Sequence, residues 1–168
     1  MKMKAVVCTE YGPPDVLQIK DLEKPTPKNN ELLIRVYAAC LNVEDLDFLR
    51  GRAWVARFLG PLKPKYKVLG FDIAGRVEAV GTNVKQFHPG DEVFGNLFNY
   101  GFGAFAEFVC APEKALALKP VSLSFEEAAT IPSRAIIALQ GLRKKETERN
   151  KFGTCREPYI AQPSSPKQ

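Results

Sequence analysis

The chain has 168 residues, 45% hydrophobic and 26% charged, proportions ordinary for a single globular domain with a real core. Its formal charge is +5, but 17 basic and 16 acidic residues lie between Met1 and Leu142, against 7 and 3 in the last 26 positions, so the near-neutral folded part argues against a phosphate-binding face and a nucleic-acid partner. No run reaches the ~18 apolar residues of a membrane helix, and the apolar stretch after Lys4 is too short for a signal peptide, which points to a cytoplasmic protein with no membrane partner.

Taken in order, Met3 to Thr9 reads as a first strand, ended by the turn Tyr11-Gly12-Pro13-Pro14-Asp15, and Val16 to Glu23 as a second. Pro25 to Asn30 is a rigid polar loop. In the third strand Ile34, Val36, Ala38 and Cys40 share one face. Asn42 can cap a short helix whose Leu46 and Leu49 point inward and which stops at Gly51. Arg52 to Lys67 carries Pro61, Pro64 and the only tryptophan, Trp54, and reads as an excursion loop. Its basic run (Arg50, Arg52, Arg57, Lys63, Lys65, Lys67) contains no acid, and suits either a solvated loop or a contact with a partner or phosphate.

From Leu69 to Gly95 five glycines punctuate short apolar runs at intervals too tight for a helix. Gly75 to Val80 alternates as a half-buried strand, His88-Pro89-Gly90-Asp91 makes a turn, and Asp91 to Gly95 resumes the strand. Asn96 to Gly103 is a Gly/aromatic loop, Ala104 to Ala111 another strand, and Lys114 to Leu118 a short last one. Many short strands at close spacing favour a mainly β, barrel-like fold. Ser124-Phe125-Glu126-Glu127 then has the form of a capping box. Pro132 is expected to break that helix, with a second one over Ser133 to Lys145. Glu146 to Gln168 has three prolines and few apolar residues, and is expected to be disordered.

Four cysteines (Cys8, Cys40, Cys110, Cys155) are scattered singly and His88 is the only histidine, so no tetrahedral zinc set is expected. Three of the cysteines fall in strands and read as small buried hydrophobes. His88, in its Pro-Gly turn, reads as exposed and non-catalytic. Asp72 reads either as a cleft carboxylate or as a buried acceptor bonded to a glycine turn.

The ordered set Gly70-x-Asp72-x-x-Gly75-x-Val77, then Val80-Gly81, then Pro89-Gly90-Asp91-x-Val93 resembles the N-terminal, GroES-like domain of the medium-chain dehydrogenase/reductase superfamily, and among its branches the zinc-free, quinone-oxidoreductase-like one. The likeness implies a partly open antiparallel barrel over residues 1–122, helices over 123–145 that join it to a cofactor domain, and a tail over 146–168 where the match has stopped. It implies a fragment of an NAD(P)H-dependent quinone or enone reductase, cut off before its dinucleotide-binding half and inactive alone, acting as a family on a small carbonyl or quinone. A non-enzymatic binding or regulatory module, partnering for example a full-length paralogue, is the alternative.

Zinc-dependent relatives place a cysteine where this chain has Asn42 and a His-Glu pair where it has Phe71-Asp72, so the resemblance implies no zinc. It gives Asn42 the place of an amide donor near the nicotinamide of NADP or NAD, Asp45 that of a neighbour shaping the cleft, and Phe71 a place on the cofactor side. Asn42 is equally readable as a plain helix cap, and the two roles are compatible. Some relatives carry a tyrosine where Asp47 stands and a threonine where Ile137 stands. The one glycine-rich near-match, Gly101-Phe102-Gly103-Ala104-Phe105-Ala106, leads into a strand rather than a helix, which fails the structural condition for a phosphate loop. Without a second domain, the apolar face of the linking helices, from Ala128, Ala129, Ile131, Ile136 and Ile137 to Leu139 and Leu142, is expected to be exposed and to favour association.

Overall fold

The structure, a computed structural model, describes residues 1–52 and 63–143. It is mainly β. Strands β1 (Lys2–Cys8) and β2 (Leu17–Glu23) pair as an antiparallel hairpin in register from Lys2↔Glu23 to Cys8↔Leu17. The turn between them tightens into one 3-10 turn at Pro14–Val16, where the fixed φ of Pro14 suits the first helical position. The second sheet contains β3 (Glu31–Cys40), β4 (Asp72–Val80), β5 (Glu92–Asn96), β6 (Phe108–Pro112) and β7 (Leu116–Leu118), in the order β6-β3-β4-β5-β7 with every pair antiparallel. Neither sheet closes on itself; bridges at Ala5↔Ala106 and Val7↔Val68 tie the hairpin to the segments that precede β6 and β4.

The α-helices fall where expected, α1 over Val43–Leu49 and α2 over Phe125–Arg143. Three features of the secondary structure differ from the sequence reading. Ala104 to Glu107 is not part of β6, because its backbone divides between two partners. Ala104 and Phe105 donate to Gly70 and Leu69, while Glu107 donates to Lys4 of the hairpin. The last short strand is preceded by a 3-10 turn at Glu113–Ala115. Pro132 lies inside α2 without breaking it. The capping box at its start is complete, Ser124 N–H donating to Glu127 Oε2 at 2.8 Å and Glu127 N–H to Ser124 Oγ at 3.1 Å.

The core fills the space behind β3, β4 and β5 with Leu32, Ile34, Ile73, Val77, Val93 and Leu97. Phe48 of α1 joins Phe71, Phe98 and Phe102 there, their edge-on or tilted ring pairs 4.9–5.9 Å between centroids. On the other side, Ala128 and Ala129 of α2 are buried against Ala74, contrary to the expectation that they face outward. Small side chains at both surfaces let the helix lie close on the sheet, and Tyr37 of β3 stacks on Phe125 at 4.5 Å. Of the described cysteines only Cys8 is fully buried; Cys40 and Cys110 are half-buried. Lys63, Lys65 and Lys67 alternate with the half-buried Pro64 and Tyr66 and point to solvent. Trp54, Arg57, Cys155 and the 146–168 tail lie outside the described residues.

Gly95 is a direct test of this packing. A Cβ there would run into the Ala115 carbonyl oxygen on the chain just before β7, so the β5–β7 pairing closes only around a bare backbone. Gly95→Ala is expected to cost about 1–3 kcal/mol, the usual penalty of overpacking, read as a lowered midpoint in chemical unfolding. An unchanged midpoint would show that β7 does not pair as described.

Candidate functional site

The site is built where β3 ends, β4 begins, β5 ends and α2 passes over them. Asn42 follows β3 and is the N-cap of α1; Asp45 is three residues on, in the first turn. The two stand in the reciprocal arrangement of a capping box, but only one half closes fully. Asn42 N–H donates to Asp45 Oδ2 at 2.8 Å. The Asp45 N–H goes to the main-chain carbonyl of Asn42 at 3.2 Å, and Asn42 Oδ1 is left buried with no hydrogen-bond partner.

The amide nitrogen of Asn42 faces the other way. It donates to Asp72 Oδ2 at 3.0 Å and, more loosely, to Cys40 O at 3.4 Å. Asp72 is fully buried at the start of β4 and collects further donors. Asn96 Nδ2 reaches its Oδ1 at 2.7 Å, and the N–H and hydroxyl of Ser133 also bond it, the N–H at 3.3 Å. Burial pushes the Asp72 carboxyl above the ordinary carboxylate range, against the opposing pull of the Ser133, Asn96 and Asn42 bonds.

Asp45 makes the second tie. Its Oδ1 accepts the Gly70 N–H at 3.2 Å. Gly70 has φ +85°, and a Cβ there would meet Ala104 and Phe105 within 3 Å. Only glycine combines that backbone with that space. The glycine-turn bond therefore belongs to Asp45, whereas the sequence reading considered it for Asp72. Burial lifts the Asp45 carboxyl to about 6, partly offset by the N–H bonds from Asn42 and Gly70 and reinforced by the nearby Asp72 and Glu44.

Against this floor lies a small cleft of about 100 Å³ lined by Glu44, Phe71, Asn96, Phe98, Ser133 and Ile137. Three linings are apolar and three polar, and α2 supplies one side through Ser133 and Ile137. Among the described residues no three His, Cys, Asp or Glu side chains come together to hold a metal ion. No described helix is long and apolar enough to cross a membrane.

Residues 28–121 match the model of the alcohol dehydrogenase GroES-like domain. The chain belongs to that family. It is 39% identical over 150 residues to a 2-methylene-furan-3-one reductase of Solanum lycopersicum, covering 85% of this chain and 37% of the relative. It is 37% identical over 152 residues to an NADPH-dependent alkenal/one oxidoreductase, chloroplastic, of Arabidopsis thaliana, covering 86% and 38%. Among solved structures it superposes on a quinone oxidoreductase from Coxiella burnetii with a TM-score of 0.80 at 35% identity, covering 87% of this chain and 46% of that one. These relatives are oxidoreductases of the medium-chain dehydrogenase/reductase superfamily, and the chain spans under two-fifths of the length of the two curated ones.

Of the residues singled out in sequence, Asn42, Asp45 and Asp72 are brought together and buried. Phe71 lies beside them in the cleft wall with its ring edge-on to Phe98. His88 stands apart, 81% exposed in its turn, its N–H donating to Asp91. Gly101 to Ala106 leads towards β6, not onto a helix. Sequence reasoning missed Glu44, Asn96, Phe98 and Ser133. Asn96 carried one usable signal, a polar amide closing an apolar strand directly after Gly95.

The raised Asp45 carboxyl has a thermodynamic consequence. The unfolded chain releases that proton near ~3.9, while the folded chain holds it to about 6. Asp45 protonation therefore adds stability that is fully present below about pH 4 and is lost as the pH rises through about 6. The melting temperature of the parent protein, minus that of Asp45→Asn, is expected to fall by several degrees between pH 4 and 7. Asp72 is common to both proteins and largely cancels. A difference that stays flat would show that Asp45 titrates as in the unfolded chain.

Proposed function

We propose that this chain forms the substrate-side wall of a zinc-independent, NADPH-dependent reductase of small enones or quinones. The observation that carries the reading is the cleft between the Asn42–Asp72 floor and α2, in a chain 39% identical to a furanone reductase over 85% of its length. On this reading residues 1–122 are the substrate domain and 123–145 the link to a cofactor domain, and the protein acts in the cytoplasm.

The cofactor of such an enzyme supplies the hydride. The described residues suit only its nicotinamide end. Phe71 and Phe98 offer an apolar surface at the cleft, whereas a pyrophosphate needs free N–H groups at a glycine-rich helix start. Asn42 is the donor for a substrate carbonyl, through the amide hydrogen that Cys40 O holds at only 3.4 Å. Its other hydrogen stays on Asp72 and fixes the plane of the amide. Asp45 shapes the cleft from below by pinning α1 to the Gly70 turn.

These 168 residues by themselves are expected to show no micromolar binding of NADPH or NADH and no reduction of a small quinone, since one wall cannot hold the two reactants in line. Residues 1–142 joined to the cofactor domain of the tomato relative are expected to oxidise NADPH with a small enone or quinone, and Asn42→Ala to remove most of that rate. A well-folded but inactive fusion would sink the proposal. Micromolar cofactor binding by the chain alone, lost on changing Gly101 or Gly103, would move the site to that loop.

A second reading, as a non-enzymatic binding module, is favoured by the outer face of α2. Leu139 and Leu142, three residues apart on the helix, are 49% and 74% exposed there, apolar side chains that a partner would cover. Concentration-dependent association is expected in light scattering, weakened by Leu139→Lys. A clean monomer at high concentration would count against it.

A further inference from the structure

The cleft has an unbalanced supply of hydrogen-bonding groups. Both amide hydrogens of Asn96 are used internally, on Asp72 Oδ1 at 2.7 Å and on Ser133 Oγ at 2.9 Å. Asn96 Oδ1 accepts from the Phe98 N–H at 2.9 Å. Ser133 directs both its hydroxyl and its N–H at Asp72. The polar linings contributed by β5 and α2 are therefore turned inward.

Glu44 is the exception. Its Oε2 is shielded from solvent yet has no hydrogen-bond partner, and the residue lines the cleft together with Phe98, Ser133 and Ile137. A first-turn carboxylate suits the start of α1, which accounts for an acid at this position. It does not account for an oxygen buried without a donor, which costs about 1–3 kcal/mol unless something supplies one. Asn42 Oδ1, two residues earlier and only 2% exposed as a residue, is a second unpartnered acceptor at the same corner. The corner lacks donors, and the remaining linings, Phe71, Phe98 and Ile137, have none to offer.

We infer that Glu44 is a specificity-determining residue that selects small carbonyl compounds bearing a hydroxyl group, whose O–H donates to Glu44 Oε2. The inference rests on the cleft being the substrate site. The hydroxyl end goes to Glu44, with the carbon skeleton against Phe71 and Phe98, which line the same cleft. Position 44 is thus a recognition point for a group of the ligand other than the carbonyl that is reduced.

The test compares two saturated ketones, 4-hydroxycyclohexanone and cyclohexanone, which do not alkylate thiols such as the half-buried Cys40. Each is titrated into the isotopically labelled chain and followed by the amide shifts of Glu44, Phe98 and Ser133. The hydroxylated ketone is expected to bind up to roughly tenfold more tightly, the worth of one added hydrogen bond. Glu44→Ala is expected to erase that preference, and Glu44→Gln, which keeps the size and the helix, to reduce it. Equal binding of both ketones by the parent chain, or a preference that survives in both variants, overturns the role of Glu44 and leaves the cleft as the substrate site. Absence of shifts at the cleft with either ketone overturns both.

Discussion

The buried carboxylate of Asp72 is the constraint to which the rest of this structure answers. A carboxyl group removed from water is costly unless hydrogen bonds replace its hydration. The sheet register supplies them. Asp72 stands opposite Cys40 on β3 and opposite Asn96 on β5, so both neighbours of the central strand present their ends to it. Asn96 reaches it directly; Asn42, two residues past Cys40, folds back to it as the chain turns into α1. Ser133 closes the set from above. One acid thereby orients the helix cap, the end of β5 and the passage of α2, and it fixes which polar groups the cleft can show.

The strands were largely legible because they obey local rules. Alternation marked β3 and β4, paired glycines and prolines marked the turns, and the Ser124–Glu127 box marked the start of α2 to the residue. The failures share one cause, bonds to distant chain. Ala104 to Glu107 alternates like a strand, but its N–H groups divide between the Leu69–Gly70 turn and the hairpin, so no single ladder forms. Ala128 and Ala129 were expected in the open because the sequence reading set the helix against a second domain, while Ala74 on the sheet below offered a small-residue surface nearer at hand.

The site was half legible for a related reason. Asn42 and Asp45 are three residues apart, a spacing that pattern reading handles, and Asp72 was visible as an acid between glycines. The bonds that give these residues their roles span 24, 30 and 61 positions. No local periodicity connects Asn96 or Ser133 to them. Glu44 was invisible for a different reason, since an acid in a helix's first turn is ordinary by composition. Only the arrangement of its neighbours shows that its oxygen lacks a donor.

Pro132 joins these threads. A proline in a helix has no N–H for the carbonyl four residues back and crowds that carbonyl as well, which is why a break was expected. The helix instead runs on past it, and the next residue, Ser133, sends its N–H to Asp72. The residue after the proline donates to the carboxylate, an acceptor that burial has deprived of water. The exchange runs one way, from the helix N–H to the buried acid. The consequence is mechanical. Ser133 is a lining of the cleft as well as a ligand of Asp72, so α2 cannot shift to widen or narrow the cleft without disturbing the acid that holds Asn42 and Asn96. The shape of the cleft and the integrity of the β3–β4–β5 core are therefore set by the same few hydrogen bonds.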